Sequence, residues 1–574
     1  LGIKCLLPTT KYIISWKKYW IFDKIIRLNI NNNLMNINKK FNLKNLNNVK
    51  YLNFNKNNFI ENLNFCKNLL YLHCESTNIS KISETLNCLE ELNCWNCVNL
   101  IKIPKIKTLK KLDCVDTNIS KIPETLNCLE ELNCDRCKNL IKIPEIKTLK
   151  KLYCRNTKIR EIPETLNCLE ELICNHCYNL IKIPEIKTLK KLNCENTNIN
   201  GIPETLNCLE ELFCSKCKNL KKIPEIRTLK KLNCKNTNIN KILETLNCLE
   251  YLNCSYCENL TKIPEIKTLK KLNCEFTNVS EIPETLNCLE YLNCSYCENL
   301  IKIPEILNCL EELYCHRCVK LIKIPETLNC LEYLNCNWCK NLKKIPEIKT
   351  LKKLNCENTN INEIPETLNC LEELNCDWCK NLKKIPEIKT LKKLNCDATY
   401  INEIPEIFNC LEELNCVCCI NLRKIPEIKT LKNLNCGQTK IIEIPETLNC
   451  LEELICYSCK KLIKIPEIKT LKKLNCGETK IREIPETLNC LEELYCSWCR
   501  NLRKIPEIKS LKILICFNTN IREIPETLNC LEDLWCSSCK NLIKIPEIKT
   551  LKILGCDKNI VIPKHIDKFN LFYH

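Results

Sequence analysis

Apolar residues return along this chain in one fixed pattern. Each unit opens L-x-x-L-x-C and closes on an Ile-Lys-Thr or Leu-Asn-Cys tail. The first leucines fall at Leu89, Leu109, Leu129 and Leu149, then in steps of 20 residues to Leu289, and again from Leu331 to Leu551. A constant period of this size means that each unit is one coil of a solenoid, with a core completed only by stacking on its neighbours. Numbering each coil from its first leucine, the alternation around position 4 predicts one short strand. Positions 4 and 6, such as Leu132 and Cys134, point inward, and positions 3, 5 and 7 face solvent. Leu129, Leu140, Ile143 and Ile146 supply the rest of one coil's core. The recurrent Ile-Pro-Glu, as at Ile143-Pro144-Glu145, predicts an extended or 3₁₀ back, because proline removes a backbone donor and fixes φ.

Two kinds of coil alternate: type A reads LEELNCxxCxNLxKIPEIKT and type B reads LKKLNCxxTxIxxIPETLNC. Position 9, where the chain leaves the strand, is Cys97 in a type A coil and Thr117 in a type B coil. A threonine hydroxyl there can satisfy buried backbone groups. Position 3 alternates in sign through Glu91, Lys111, Glu131 and Lys151, so each charge has opposite neighbours on both sides, worth roughly 0.2–1 kcal/mol per pair. Position 5 is mostly asparagine, as at Asn93, Asn133 and Asn193. The period breaks once, with steps of 21 residues from Leu289 to Leu310 and on to Leu331. Both coils join an A head to a B tail, so three A heads lie side by side. The charge alternation then fails, and Glu290, Glu311 and Glu332 are expected to lack basic neighbours.

The motif L-x-x-L-x-C-x-x-C-x-x-L, as in Leu89, Leu92, Cys94, Cys97 and Leu100, resembles the leucine-rich repeat, with Cys at position 6 where that family usually has Leu. The resemblance covers residues from about Ile25 to Asn559, roughly 27 coils. It implies a repeat solenoid with a parallel β-sheet on the concave side, a mostly non-helical convex side, and a binding rather than catalytic role. The expected organisation is an N-terminal cap over residues 1–24, a solenoid of short coils over 25–560, and a C-terminal cap over 561–574. Trp16, Trp20, Ile21 and Phe22 are the expected covering residues at the front, and Phe569, Leu571 and Phe572 at the back. The composition, rich in Cys, Lys, Ile and Asn, is similar to that of leucine-rich repeat proteins of giant DNA viruses of amoebae.

The chain carries 54 cysteines. Cys94, Cys114 and Cys134 occupy the same inward position of successive strands, where a small apolar side chain fits. Strands about 4.8 Å apart lie near the lower limit of about 4.4 Å for a disulfide's Cα atoms, so a bond between such neighbours would be strained. Reduced thiols in an intracellular, cytoplasmic protein are therefore expected, in a host cell if the source is viral. No charged-then-apolar leader opens the chain, and no apolar run is long enough to span a bilayer.

No metal and no cofactor are expected. The C-x-x-C cysteines are repeat-consensus positions, His73, His176, His316, His565 and His574 never pair at a ligand spacing, and the 5 glycines form no phosphate loop. The net charge of +18 comes from lysines interleaved with glutamates rather than gathered in a patch, so nucleic acid is not the expected partner. No catalytic constellation is present.

The leading functional expectation is a protein-interaction module that binds a partner on the concave face. Two alternatives accompany it. A substrate-recognition adaptor for ubiquitin transfer follows from a likeness to the cysteine-containing repeats of F-box proteins, although LLPTTKYIISW matches the F-box pattern poorly. A thiol or metal reservoir follows from the cysteine count.

Positions 7 and 8 vary while the framework stays constant: Trp95-Asn96, Asp135-Arg136, Asn175-His176, Ser255-Tyr256. Variation on a fixed scaffold is how repeat proteins make specificity. Near the break, position 8 carries Tyr256, Phe276, Tyr296, Arg317 and Trp338 in succession, with His316 beside Arg317. Position 3 adds Tyr251, Tyr291 and Tyr333, and position 5 adds Tyr314. In a chain with 6% aromatic residues this is a cluster of the types enriched at binding hot spots, and it forms the expected partner-binding site. The segment LEYLNCSYCENL occurs twice, at 249–260 and 289–300, so duplication accounts for part of it.

Overall fold

The computed structural model describes residues 4–6, 27–29, 49–56, 66–566 and 571–573. The chain divides into two compact units, Leu1–Val279 and Ser280–His574. In the first unit, three-residue strands from Lys4–Leu6 and Arg27–Asn29 to Lys271–Asn273 form a parallel sheet. From Tyr51–Asn53 onward, equal steps of 20 residues keep them in register, as in Lys111↔Glu131, Leu112↔Leu132 and Asp113↔Asn133. The second unit repeats the arrangement from Tyr291–Asn293 to Leu571–Tyr573. Its two 21-residue steps leave the strands aligned, with Leu292 opposite Leu313 and Leu313 opposite Leu334. The extra residue is therefore taken up outside the strands. Among the described residues there is no helix, and the back of each coil consists of turns and irregular chain.

The strands of the regular coils bury their central leucine and leave the residues on either side half-buried or exposed. In the coil starting at Leu129, the side chains of Leu129, Leu132, Cys134, Leu140, Ile143 and Ile146 are all buried. Full burial is worth about 1.5–3 kcal/mol for a large apolar residue. A single 20-residue coil cannot offset its chain entropy with six such groups, but a stack can.

The buried polar atoms form a second ladder beneath the strands. The Thr117 hydroxyl donates to the carbonyl of Cys114 at 2.7 Å and lies 3.3 Å from Cys137 Sγ. The Cys137 thiol in turn donates to the same carbonyl at 3.0 Å. The unit recurs with Thr157 and Cys177, and with Thr439 and Cys459. Position 6 thiols donate to the next coil, as from Cys134 to the carbonyl of Tyr153 at 3.3 Å. Burial pushes the Cys134 and Cys174 thiols well above the usual cysteine range, so they stay protonated donors. Both cysteine positions and the threonine are thus occupied by backbone satisfaction. Thr117→Val removes the hydroxyl without changing shape and should cost about 1–3 kcal/mol in urea unfolding. Thr117→Ser, which keeps the hydroxyl, should lose clearly less, and equal losses would contradict the hydrogen-bond account.

Position 8 adopts the left-handed conformation in coil after coil, with φ between 50° and 64° from Lys56 to Ser538, and no glycine occupies it. The reason is visible in the hydrogen bonds. Asn96 N–H reaches the carbonyl of Val115 at 2.7 Å, and Trp338 N–H that of Glu357 at 2.8 Å. The left-handed residue turns the chain off the strand while keeping its donor paired with the next coil. The position 5 asparagines support the same turn, since Asn253 Oδ1 accepts the Ser255 N–H at 3.1 Å.

Of the covering residues expected at the ends, Trp16, Trp20, Ile21, Phe22 and Phe569 lie outside the described residues. Phe572 is described, and its ring stacks on Trp535 at 5.3 Å. Gly555 stands between them in register, and a Cβ there would meet the Trp535 ring at 2.2 Å. The rings lie over a strand position that only glycine leaves open.

Candidate functional site

The solvent-facing side of each sheet is set by the strand residues at positions 3 and 5 and by the turn at 7 and 8. In the first unit, Tyr251 stands half-buried at position 3 between Lys231 and Lys271. At position 8 the Tyr256 and Phe276 rings stack at 4.7 Å, and Lys235 Nζ lies 4.9 Å from the Tyr256 ring centre.

The second unit carries two rows. Tyr291, Tyr314 and Tyr333 form a continuous run of rings across three coils, with centroids 5.5 and 4.8 Å apart. The Tyr314 hydroxyl donates to Glu312 Oε2 at 3.0 Å. Burial, with that carboxylate beside it, pushes the phenol's pKa above its ordinary value. In the other row, Tyr296 meets His316 edge-on at 4.4 Å. The Arg317 guanidinium lies 5.3 Å from the Tyr296 ring centre and 4.8 Å from that of Trp338, and Lys340 Nζ lies 5.3 Å from the latter on its own. Burial, and then Arg317, lowers the His316 pKa, favouring the neutral ring. Cation–π contacts of this kind are worth about 0.5–1 kcal/mol when exposed and more when desolvated. Trp338 remains 37% exposed, so the row is ordered by its neighbours and still open to solvent.

The charges differ in part from the sequence expectation. At position 3, Lys111 pairs with Glu131 at 3.3 Å and Lys353 with Glu373 at 2.9 Å. A second ladder runs along position 2, as between Lys150 and Glu130 and between Lys392 and Glu372, both at 2.8 Å. Such exposed pairs are screened by solvent and add little to stability. Glu332, expected to lack a basic neighbour, pairs with Lys352 at 2.8 Å, because the coil that follows the break restores a lysine at position 2. Glu311 lies between Glu290 and Glu332 at that position and makes no ion pair among the described residues.

Two of the hollows in the second unit lie on opposite sides of its coils. One on the sheet side, of about 540 Å³, runs from Tyr333 past Lys353 and Asn395 to Ile455. The other, of about 2290 Å³, follows the back and is lined by Ile345, Pro346, Glu347 and Lys384 and their counterparts in later coils. The walls of both are largely framework residues repeated from coil to coil, and Tyr333 stands at one end of the sheet-side hollow.

One feature of the sheet side escaped the sequence reading. Asp377 and Asp397 occupy position 7 of neighbouring coils, and burial pushes their carboxyl pKa values up to about 7 and about 6. Asp377 accepts the Asp397 N–H at 2.8 Å and an Asn395 amide hydrogen at 2.6 Å, which only partly offsets the burial. A folded-state pKa above the unfolded value means that stability is greatest with the group protonated and falls as pH rises from about 4 through 7. Asp377→Asn should therefore raise the melting temperature at pH 8 and flatten its pH dependence between pH 5 and 8. An unchanged pH profile would contradict the assignment. Among the described residues, no group of three or more His, Cys, Asp or Glu side chains is placed to hold a metal ion. No helix there is long and apolar enough to cross a membrane.

No protein-family profile and no curated protein matches the chain. Solved structures do match. YopM from Yersinia enterocolitica WA-314 is similar with a TM-score of 0.51 at 20% identity, over 72% of this chain and 92% of that one. A leucine-rich repeat protein of Leptospira interrogans is similar with a TM-score of 0.47 at 22% identity, over 67% of this chain and 100% of that one. With the repeated strand, the coil length and the helix-free back, the fold is a repeat solenoid of the leucine-rich repeat class.

Proposed function

We propose that the chain is a non-enzymatic interaction protein that binds another protein on the concave, solvent-facing side of its sheet. The observation that carries this reading is the row in which Arg317 is held between Tyr296 and Trp338, beside the Tyr291, Tyr314 and Tyr333 run. Aromatic and arginine side chains held in place by neighbours lose little freedom on binding and are typical anchors of interfaces. Glu311, which makes no ion pair among the described residues, and Glu312 give the same surface an acidic character, so the fitting partner presents a basic, partly apolar surface. In the first unit, Tyr251, Tyr256 and Phe276 present the same residue types. The hydrogen-bonded state of the inward thiols favours this role over a thiol or metal reservoir. It also suits a reducing, intracellular compartment in which those thiols stay free. Affinity capture on the immobilised protein, comparing wild type with Tyr296→Ala/Trp338→Ala, tests the reading. Loss of a specific partner supports it, and undiminished capture contradicts it.

A further inference from the structure

The closing residue of a B tail is an exposed cysteine, as at Cys128, Cys168 and Cys450. In the regular array these thiols alternate with threonine. The Thr148 hydroxyl bonds the carbonyls of Asn127 and Leu129 at 3.2 and 2.7 Å, on either side of Cys128, so tail positions stack directly coil on coil. Exposed tail thiols are then two coils, or about 9.6 Å, apart, beyond the roughly 7 Å reach of a disulfide between Cα atoms.

The break changes this. Two successive A heads carry B tails, and cysteine replaces threonine twice. Cys288, Cys309 and Cys330, all exposed and all in the second unit, follow one another on three consecutive coils. Their backs are aligned in the same way: Lys302 Nζ lies 3.2 Å from Glu284, and Lys323 Nζ 3.2 Å from Glu305. Matching turns present the last two, with Asn308 N–H bonded to the Ile306 carbonyl and Asn329 N–H to that of Thr327, both at 2.8 Å. The coil spacing of about 4.8 Å lies at the short end of the range of about 4.4–6.8 Å for bridged Cα atoms, so the bond is strained but within reach, and a strained, exposed disulfide is a labile one suited to exchange. Unlike the inward cysteines, these sit in exposed turns before the strand, where the side chains are not held by core packing.

We propose that Cys309, with Cys288 or Cys330 as resolving partner, is a thiol–disulfide exchange site for low-molecular-weight disulfides. The Cys309 thiolate attacks one sulfur of the incoming disulfide, giving a mixed disulfide and releasing one small thiol. The neighbouring thiolate then attacks the Cys309 sulfur, closing the inter-coil bond and releasing the second. Two protein thiols are oxidised, one small disulfide is reduced to two thiols, and the thiol protons leave with the products. A Cys309–Cys330 bond would tie together the coils that carry Tyr291 and Tyr314.

Glutathione disulfide added to the reduced, folded full chain, followed by non-reducing peptide mass spectrometry, tests this. The expected result is Cys309 linked to Cys288 or Cys330 without bound glutathione, while Cys128, Cys168 and Cys450 carry glutathione. In Cys309→Ser, Cys288 and Cys330 lie two coils apart and should both carry glutathione. A stable glutathione adduct on Cys309 in the wild type would overturn the proposal. An unmodified Cys309 would do the same, as would a Cys288–Cys330 link in the variant.

Discussion

Leu132→Ala should lower the unfolding free energy by about 2–5 kcal/mol, read as a shift of the urea midpoint. Leu132 is fully buried and in register with Leu112 on one side and Leu152 on the other. Truncation leaves a cavity shared by three coils, and no long loop or helix lies beside it to collapse into the space. In a stacked array each coil is held only by its neighbours, so the loss weakens two interfaces at once. The damage should be greatest in the coils nearest Leu132. Hydrogen exchange at the amides of Leu112, Leu132 and Leu152 should speed up more than at Leu232. A change below about 0.5 kcal/mol, the size of an ordinary surface substitution, would mean that the coil is not packed as described.

The second large effect is on binding. A central aromatic at a hot spot typically costs at least about 2 kcal/mol on truncation, close to a thirtyfold loss of affinity. Tyr296→Ala/Trp338→Ala removes both rings that flank Arg317, so capture of a specific partner should fall below detection. The melting temperature should drop by only a few degrees, because neither ring is part of the apolar core. Trp95→Ala, which removes an exposed tryptophan of the first unit, should leave capture intact. If Trp95→Ala weakens capture and the double change does not, the site lies elsewhere and the aromatic rows reflect duplicated sequence.

Much of the fold is legible in the sequence, because a period of 20 and a strand alternation of two are properties of residue order alone. Leu129, Leu132, Cys134, Leu140, Ile143 and Ile146 are inward for that reason, and the structure buries all six. The left-handed turn at position 8 is less visible, since glycine, its usual mark, never occupies it. A fainter signal was present: asparagine recurs there, at Asn96, Asn156, Asn196 and Asn236, and Val, Ile and Thr are missing among the left-handed residues. The position 2 ladder is not legible from strand alternation, which says nothing of the residue just before the strand. Glu332 is not isolated, because its partner Lys352 belongs to the B coil that follows the three A heads. For the binding residues, order along the chain placed Tyr296, Arg317 and Trp338 at one position of successive coils. It did not place the guanidinium between the two rings, which depends on side-chain conformations the spacing does not encode. The buried pair Asp377 and Asp397 was hidden likewise, because position 7 varies and its partial burial follows from the turn rather than from residue type.

The register of the coils is the central claim, and site-resolved thiol alkylation of the reduced, folded protein tests it most directly. Among the described residues, 12 cysteines are exposed, Cys88 and Cys418 are half-exposed, and 39 are buried. The account predicts rapid labelling at the tail cysteines, such as Cys128, Cys309 and Cys490. Positions 6 and 9, such as Cys134 and Cys137, should be protected until denaturant is added, after which nearly all 54 react. Labelling of Cys134 and Cys137 at the rate of Cys128 in the folded protein would contradict it.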